Sequence, residues 1–326
     1  ELRFPYASIA LSETKYPLEA KIKAWNPFIP TDEDNSSLPV AGLVYTFRNT
    51  SPERQDCLFS FHAKNFLKRD NEKPSNKVTA IPRGFVLRQE GIEDKKDAEA
   101  HFAITCDQEN TIVDHCWFSG GWFDSMTMTW RSVEKAEARA TEPVPVNAPG
   151  ASLYVPFVLG PGEEKEIIVH TCWYFPYSDV RIGQDQSDNE NCDPGSGCCN
   201  TSADIGNTIA GPETTKENYR PWYAARFKGI EDVVGYWEKS YRDLDARTTK
   251  FAEAFYSMTL PPEVIEAVAA NLAILKSTTV LRQFDGRLWR FEGTGDAWGC
   301  CNGSSTHVWN YAQAIPHLFP ALERTL

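Results

Sequence analysis

Apolar and polar residues alternate with a period of two over most of the first half of the chain. Short alternating runs lie between clusters of Pro, Gly, Asn and Asp from Leu2 to about Trp173, and they include Leu43–Phe47, Leu58–Phe61 and His101–Thr105. A period of two places alternate side chains on the same face of a strand. Many short strands separated by frequent turn signals predict an antiparallel β-sandwich. One hairpin is predicted where the runs 153–159 and 165–173 flank the turn 160–163.

The period changes to helical spacing after Asn218. A first helical segment opens at Pro221 and carries Phe227, Ile230, Val233, Val234, Trp237, Tyr241 and Leu244 at that spacing. A second helix is predicted to begin at Pro261–Glu263, because proline is favoured in the first turn of a helix. A third helix is predicted from Thr306–His307 to about Phe319, and a fourth begins at Pro320.

These helices have apolar faces that need partners. The residues concerned are Val264, Val268, Leu272, Trp309 and Leu318. Two or three helices cannot close a helical domain. We therefore expect the chain to be the N-terminal portion of a longer protein. The alternative is that the helices pack back on the sandwich and the chain is complete.

Composition and charge exclude several classes of protein. Hydrophobic residues make up 41% of the 326 residues and charged residues 24%, which argues against disorder. The formal net charge of −12 argues against nucleic-acid binding. No apolar run approaches the ~18–20 residues of a membrane span, and the N-terminus lacks a signal pattern. We expect a soluble or already processed protein and leave open whether it is cytoplasmic or exported with its signal removed.

No metal site is predicted. The nine cysteines include two vicinal pairs, 198–199 and 300–301, that lack the C-x-x-C spacing of zinc sites. The acidic loop from Gly183 to Ser202 could chelate calcium but does not match the EF-hand spacing, so a solvated loop is the preferred interpretation.

The densest cluster of polar residues lies between Phe291 and Tyr311. Four glycines allow close backbone approach to a ligand, and Glu292 and Asp296 supply two carboxylates. Two carboxylates ~5–5.5 Å apart would suit a retaining glycosidase, but closeness in sequence does not establish that separation. From the residues alone, we prefer the interpretation that these acidic side chains accept hydrogen bonds from backbone amides of the loop itself. On this interpretation His307 has a structural role and not a catalytic one.

Several segments along the chain resemble the signature stretches of glycoside hydrolase family 116, which includes non-lysosomal glucosylceramidases (bile acid β-glucosidases) and bacterial β-glucosidases. One is Trp25–Ala41, where three prolines stiffen a connection between two strands. The others are Trp173–Pro176, Ala269–Leu272, Asp285–Trp289, Glu292–Gln313 and Leu318–Arg324.

The resemblance implies a β-sandwich over residues 1–217, a helical linker over 218–258 and the truncated beginning of an (α/α)6 catalytic barrel over 259–326. It implies retaining hydrolysis of β-glucosides or glucosylceramide-like substrates, without a cofactor. The catalytic carboxylates of the family would fall after Leu326, so no catalytic residue is assigned here and the chain alone is expected to be inactive. The expected partners are a carbohydrate or glycolipid substrate and the barrel itself.

The resemblance also gives candidates for lining or supporting the sugar pocket. They are Glu292, Asp296, His307, Trp309 and Asn310. Thr294 and Ser305 stand where the family commonly has cysteines, and Pro316 is expected to kink the third helix. Two other hypotheses stay open: a non-catalytic carbohydrate-binding or structural sandwich, and an enzyme that uses the carboxylates present in this chain.

Overall fold

The computed structural model describes residues 1–67, 76–92, 95–145, 147–178, 180–182, 219–295, 298–299 and 309–325. The strands in these ranges are β1 (Leu2–Arg3), β2 (Tyr6–Ser12), β3 (Leu18–Trp25), β4 (Val40–Asn49), β5 (Gln55–Lys64), β6 (Asn76–Ile81), β7 (Gly84–Gln89), β8 (Ala100–Cys106), β9 (Ile112–Asp114), β10 (Gly150–Leu159), β11 (Glu164–Tyr174), β12 (Arg181–Ile182), β13 (Val280–Arg282), β14 (Leu288–Arg290) and β15 (Trp298–Gly299). The helices are α1 (Glu33–Ser36), α2 (Ser125–Glu134), α3 (Tyr223–Arg226), α4 (Ile230–Tyr256), α5 (Pro262–Ile274), α6 (Trp309–Ala312), α7 (Ile315–Leu318) and α8 (Pro320–Glu323).

Two antiparallel sheets form most of the β-structure, and two further two-stranded sheets are a parallel pair, β12 with β15, and an antiparallel pair, β13 with β14. The larger has eight strands in the order β1-β2-β3-β4-β11-β8-β7-β6, and the smaller has three in the order β5-β10-β9. Every neighbouring pair in both sheets is antiparallel. The prediction of mainly antiparallel β-structure with helices towards the C-terminus is therefore confirmed. The start of a helical barrel stays a prediction.

The turn at residues 160–163 joins the two sheets, so the predicted hairpin is wrong. β10 pairs with β5 and β9, whereas β11 pairs with β4 and β8. The buried Asn49 fixes this crossover, because its Nδ2 donates to the carbonyl oxygens of Glu53, Leu159 and Gly160 at 2.6, 3.2 and 3.0 Å. The glycines mark a turn, but the alternation around them does not say which strands become partners.

The centre of the larger sheet, along β11, is buried on both faces. Ile167 and Val169 of β11 pack with the inward side chains of the smaller sheet. Ile168 and Cys172 lie on the opposite face and pack against α4. This double burial explains why residues 167–172 are all buried, as is typical of strands in a sheet covered on both sides.

Helix α4 forms the third layer, next to the larger sheet. Its buried residues include all six predicted between 230 and 244, namely Ile230, Val233, Val234, Trp237, Tyr241 and Leu244. The predicted helical segment is interrupted, because Phe227 adopts an extended conformation and separates α3 from α4. At 1.5 Å per residue the 27 residues of α4 span ~40 Å. Most of the predicted linker thus packs on the sheet, and the division into three domains stays a prediction.

The C-terminal helices are shorter than the sequence predicts. Helix α5 begins at Pro262, as expected. The prediction of one continuous third helix is wrong over residues 309–319, the part of it that the structure describes. Helix α6 ends at Ala312 and α7 begins at Ile315, with Pro316 in the first turn of α7. Pro316 has no N–H to donate to the carbonyl of Ala312, which disfavours one regular α-helix through this position.

Candidate functional site

The two longest segments that carry the family resemblance meet around Phe28. This side chain, from the loop between β3 and β4, is buried in a cluster with Leu288, Tyr311, Ile315, Phe319 and Leu322. Its ring centroid lies 5.3 Å from that of Phe319 and 5.2 Å from that of Phe251 in α4. The backbone N–H of Thr31 donates to the carbonyl oxygen of Leu318 at 2.7 Å. The loop and the C-terminal segment therefore form one packed unit.

The loop between β3 and β4 is fixed by its own side chains. The hydroxyl of Ser36 accepts from the N–H of Ile29 at 2.9 Å and donates to the carbonyl of the same residue at 3.1 Å. Asp32 caps α1 by accepting from the N–H of Asn35 at 3.1 Å. Such local bonds are what Asp, Asn and Ser supply in turns. The three prolines predict a rigid connection, and these hydrogen bonds fix the loop in the same way. The remaining side chains of the loop are thereby presented to neighbouring elements.

Ion pairs join this loop to β13, α3 and α4. Asp34 accepts from Arg282 Nη1 at 2.7 Å and lies 3.9 Å from Arg226 Nη1. Asp32 is paired with Arg247 of α4. Burial alone would raise the pKa of the Asp32 carboxyl, but hydrogen bonds from Asn35 and the guanidinium of Arg247 together hold that pKa below its usual value.

Lys276 adds a cation beneath the loop. Its Nζ donates to the carbonyl oxygens of Pro27 and Ser36 at 3.2 and 2.5 Å. Burial lowers the pKa of this amine to about 8, because a low-dielectric environment disfavours the charged form. Sequence reasoning missed Lys276 and the arginines, since the loop and its cations lie far apart along the chain. The run of acidic residues at 32–34 is the signal that could have indicated basic partners.

The predicted pocket residues are only partly described. Glu292 is exposed and follows Phe291, which is fully buried and accepts a hydrogen bond from the Tyr311 hydroxyl. Trp309 and Asn310 belong to α6, which Tyr311 anchors in the cluster around Phe28.

Asp296 and His307 lie outside the described residues, so the separation of the two carboxylates, Glu292 and Asp296, is not measured. The structure brings Glu292 and α6 to the same packed unit, and the roles of all five candidates stay predictions. Cys198, Cys199, Cys300, Cys301 and the acidic loop 183–202 also lie outside the described residues.

A cleft of about 550 Å³ lies beside this unit, between β1–β3 and the end of α4. Arg3, Lys21, Lys23 and Glu253 are among its lining residues. The hydroxyl of Tyr6, also in the lining, lies 2.7 Å from that of Thr249. The sequence analysis did not single out this cleft.

No arrangement among the described residues points to a metal or a membrane span. No group of three or more His, Cys, Asp or Glu side chains in this part of the chain could hold a metal ion. No described helix is long and apolar enough to cross a lipid bilayer.

The sheets and the packed loop form mainly antiparallel β-structure with helices towards the C-terminus. A family model described as "beta-glucosidase 2, glycosyl-hydrolase family 116 N-term" matches residues 1–244. That match covers most of the chain, and it places the protein among the glycoside hydrolases. The chain belongs to glycoside hydrolase family 116, through the N-terminal domain of that family. No curated protein matches the chain significantly.

Some solved structures are similar at low identity. A human-microbiome protein described as a kojibiose phosphorylase is 12% identical, with a TM-score of 0.38, and the match covers 78% of this chain and 24% of that one. A family GH92 alpha-mannosidase from Bacteroides thetaiotaomicron, in complex with mannoimidazole, is 9% identical, with a TM-score of 0.30, and the match covers 88% of this chain and 29% of that one. The chain thus spans less than a third of these proteins. TM-scores this low support no inference about function.

Proposed function

We propose that this chain is the N-terminal part of a retaining β-glycosidase that hydrolyses β-glucosides or glucosylceramide-like substrates. Membership of family 116 supports the class of reaction. The observation that carries the proposal is the packing of the loop around Phe28 against the segment from Leu288 to Leu322, because both segments bear the resemblance. In this proposal α5 and the following helices begin the catalytic (α/α)6 barrel, and the loop between β3 and β4 holds them against the sandwich.

The proposed mechanism is double displacement. One carboxylate attacks the anomeric carbon, a carboxylic acid protonates the leaving oxygen, and water then releases the sugar from the enzyme. Both carboxylates are assigned to the barrel beyond Leu326. In this chain Glu292, Asp296, His307, Trp309 and Asn310 are proposed to line or support the sugar pocket. The chemistry requires no cofactor.

The test is turnover by the full-length protein. We expect it to hydrolyse an aryl β-glucoside, with NMR showing the β-anomer of glucose released first, and we expect residues 1–326 alone to show no turnover. Asp296→Ala and His307→Ala in the full-length protein should each lower kcat/KM about 10- to 100-fold, because a misplaced or missing pocket contact raises the barrier. The exposed Asp56 of β5, which pairs with Arg54, provides the control variant Asp56→Ala.

Three results would contradict the proposal in different ways. Release of α-glucose first would exclude the retaining mechanism. Unchanged kcat/KM in both pocket variants would remove the site assignment but leave the activity. Sugar binding without turnover by the full-length protein would favour a non-catalytic carbohydrate-binding protein. Parallel assays with a β-xyloside and with glucosylceramide determine the substrate class.

A further inference from the structure

Helix α4 packs on the larger sheet up to Leu244, and beyond that residue the cleft of about 550 Å³ lies between the two. Later residues of the helix line the cleft, namely Thr249, Ala252, Glu253 and Tyr256. Their spacing of three and four positions places them on one face of the helix. The cleft therefore has one continuous helix face as a wall, and its size falls within the ~300–1,000 Å³ of small-molecule sites.

The opposite wall is the sheet, where strand β3 changes from apolar to charged side chains. Trp25, Lys23 and Lys21 occupy alternate positions of the strand, so all three face α4. Trp25 packs against the helix, with its ring centroid 5.2 Å from that of Trp237, whereas the two lysines line the cleft. A strand that packed against a helix over its whole length would carry apolar residues there. The sequence of β3 therefore sets the cleft, which is not a packing defect.

Two tyrosine rings in the cleft are in contact with cations of the protein. The hydroxyl of Tyr6 lies 2.7 Å from that of Thr249, and Lys23 Nζ lies 4.5 Å from the centroid of the Tyr6 ring. The guanidinium carbon of Arg3 lies 5.6 Å from the centroid of the Tyr256 ring. Because a protein cation already lies over each ring, a cationic ligand that approached the rings would be repelled.

Most charges of the lining are paired within the protein. Two of the three cations, Arg3 and Lys23, lie 2.8 and 3.4 Å from carboxylate oxygens. The remaining charges belong to Lys21 and Glu253, whose side chains have no hydrogen-bond or ion-pair partner among the described residues. An anion would meet the carboxylate of Glu253, and a cation would meet the amine of Lys21. The unpaired groups are thus one donor and one acceptor without net charge, which favours a neutral ligand.

A neutral ligand for this cleft needs groups that both donate and accept hydrogen bonds. Lysine only donates and an ionised carboxylate only accepts, whereas a hydroxyl group can pair with either. The tyrosine rings, Ala252 and the methylene stems of the lysines add apolar surface to the lining. A sugar ring combines hydroxyl groups with a face of C–H groups, and this chain belongs to a family of glycoside hydrolases. Among neutral ligands, a sugar therefore fits both the polar and the apolar parts of the lining.

We infer that the cleft between β1–β3 and the end of α4 binds a neutral mono- or disaccharide, with Lys21 donating to one hydroxyl group and Glu253 accepting from another. This inference concerns binding and does not depend on the proposed hydrolysis. The test uses the full-length protein and a β-thioglucoside that carries a photoreactive diazirine, because the sulfur linkage resists hydrolysis. Mass spectrometry of peptides then locates the label. We expect label in residues 1–25 and 245–257, and an excess of methyl β-thioglucoside should remove it.

Paired variants identify the groups responsible. Lys21→Met with Glu253→Met keeps the length of both side chains and removes their charged groups. Labelling of the cleft peptides should fall at least about tenfold, because two hydrogen bonds to charged groups are lost. Lys135→Met with Glu137→Met is the matched control and should leave the labelling unchanged, because this exposed pair lies outside the lining. The melting temperature of each variant shows that the fold is kept.

Specific results would overturn the inference. One is absence of label from the cleft peptides of the wild type, and a second is equal labelling of the Lys21→Met/Glu253→Met variant. A third is competition by phosphocholine or inorganic phosphate but not by methyl β-thioglucoside, which would assign the cleft to a charged ligand. Turnover of an aryl β-glucoside without label in the cleft would overturn this inference alone. Label in the cleft without turnover would support it and overturn the proposed hydrolase.

Discussion

Three aromatic rings pack closely between the larger sheet and α4. They belong to Trp25, Trp237 and Tyr241. Their ring centroids lie 5.0–5.2 Å apart. Gly42 makes the fit possible, because a Cβ there would lie 2.9 Å from Trp25 Nε1 and from a ring carbon of Tyr241. His170 packs edge-on against Tyr241, and burial lowers the pKa of its imidazole to about 4, so the ring is neutral at pH 7. Around these rings the contact between α4 and the sheet is therefore mainly apolar, and the buried Trp237 Nε1 and His170 Nδ1 have no hydrogen-bond partner among the described residues.

The hydrogen bond from Trp25 Nε1 to the Tyr241 hydroxyl, at 3.0 Å, is the residue-scale test of this contact. Tyr241→Phe removes the acceptor and leaves a buried N–H unpaired, so we expect the free energy of unfolding to fall by about 1–3 kcal/mol in a denaturant titration. Tyr236→Phe on the same helix is the control. Its hydroxyl bonds to Asn35 where water can replace it, and the loss should stay below about 1 kcal/mol. Equal losses of unfolding free energy for both variants would show that the hydrogen bond from Trp25 contributes no more to stability than the exposed bond of Tyr236.

At the scale of elements, the sequence predicts strands and helices better than their partners. The strands around residues 43–47, 58–61 and 101–105 and the start of α5 at Pro262 are confirmed, because local alternation and proline placement determine them. Strand pairing depends on contacts between distant residues, and the predicted hairpin at 160–163 is accordingly wrong. Helix α2 was missed because its outward-facing Met126 and Trp130 do not form an inward apolar stripe.

Asn49 provides the element-scale prediction, because it holds the crossover between β10 and β11. Asn49→Asp keeps the size of the side chain but replaces the Nδ2 donor with an oxygen facing three carbonyl groups, so we expect a loss of about 3 kcal/mol or more in unfolding free energy. Ser51→Ala is the control. It removes one hydroxyl that donates to Asn49 Oδ1 while the Ser51 N–H still donates there, and it should cost under about 1 kcal/mol. A small loss for Asn49→Asp would mean that the turn sequence alone fixes the crossover.

For the whole molecule, the resemblance singled out two segments that pack together, but the sequence did not predict the contacts that join them. The resemblance singled out the loop 25–41 and the segment 285–324, and both contribute to the cluster around Phe28. Their connections through Lys276 and through the pair Asp34–Arg282 span more than 200 residues of sequence. One sequence without related sequences carries no signal for such pairs. The pocket residues came from the resemblance alone, since Glu292 and Asp296 have no pattern that distinguishes a catalytic loop from a structural one.

The exposed apolar face of α5 tests whether further helices belong beside it. Val264 is 43% exposed and Val268 is 41% exposed among the described residues, and a barrel that begins with α5 would bury both. Val264→Asp with Val268→Asp in the full-length protein should then lower the melting temperature by several degrees or more, because two carboxylates would be buried without partners. Val158→Asp on β10 is the matched control, since Val158 is 45% exposed in the sandwich and its replacement should cost about 1 kcal/mol or less. Similar small shifts for both variants would mean that α5 keeps its apolar face in solvent, and the proposed barrel would lose its first helix.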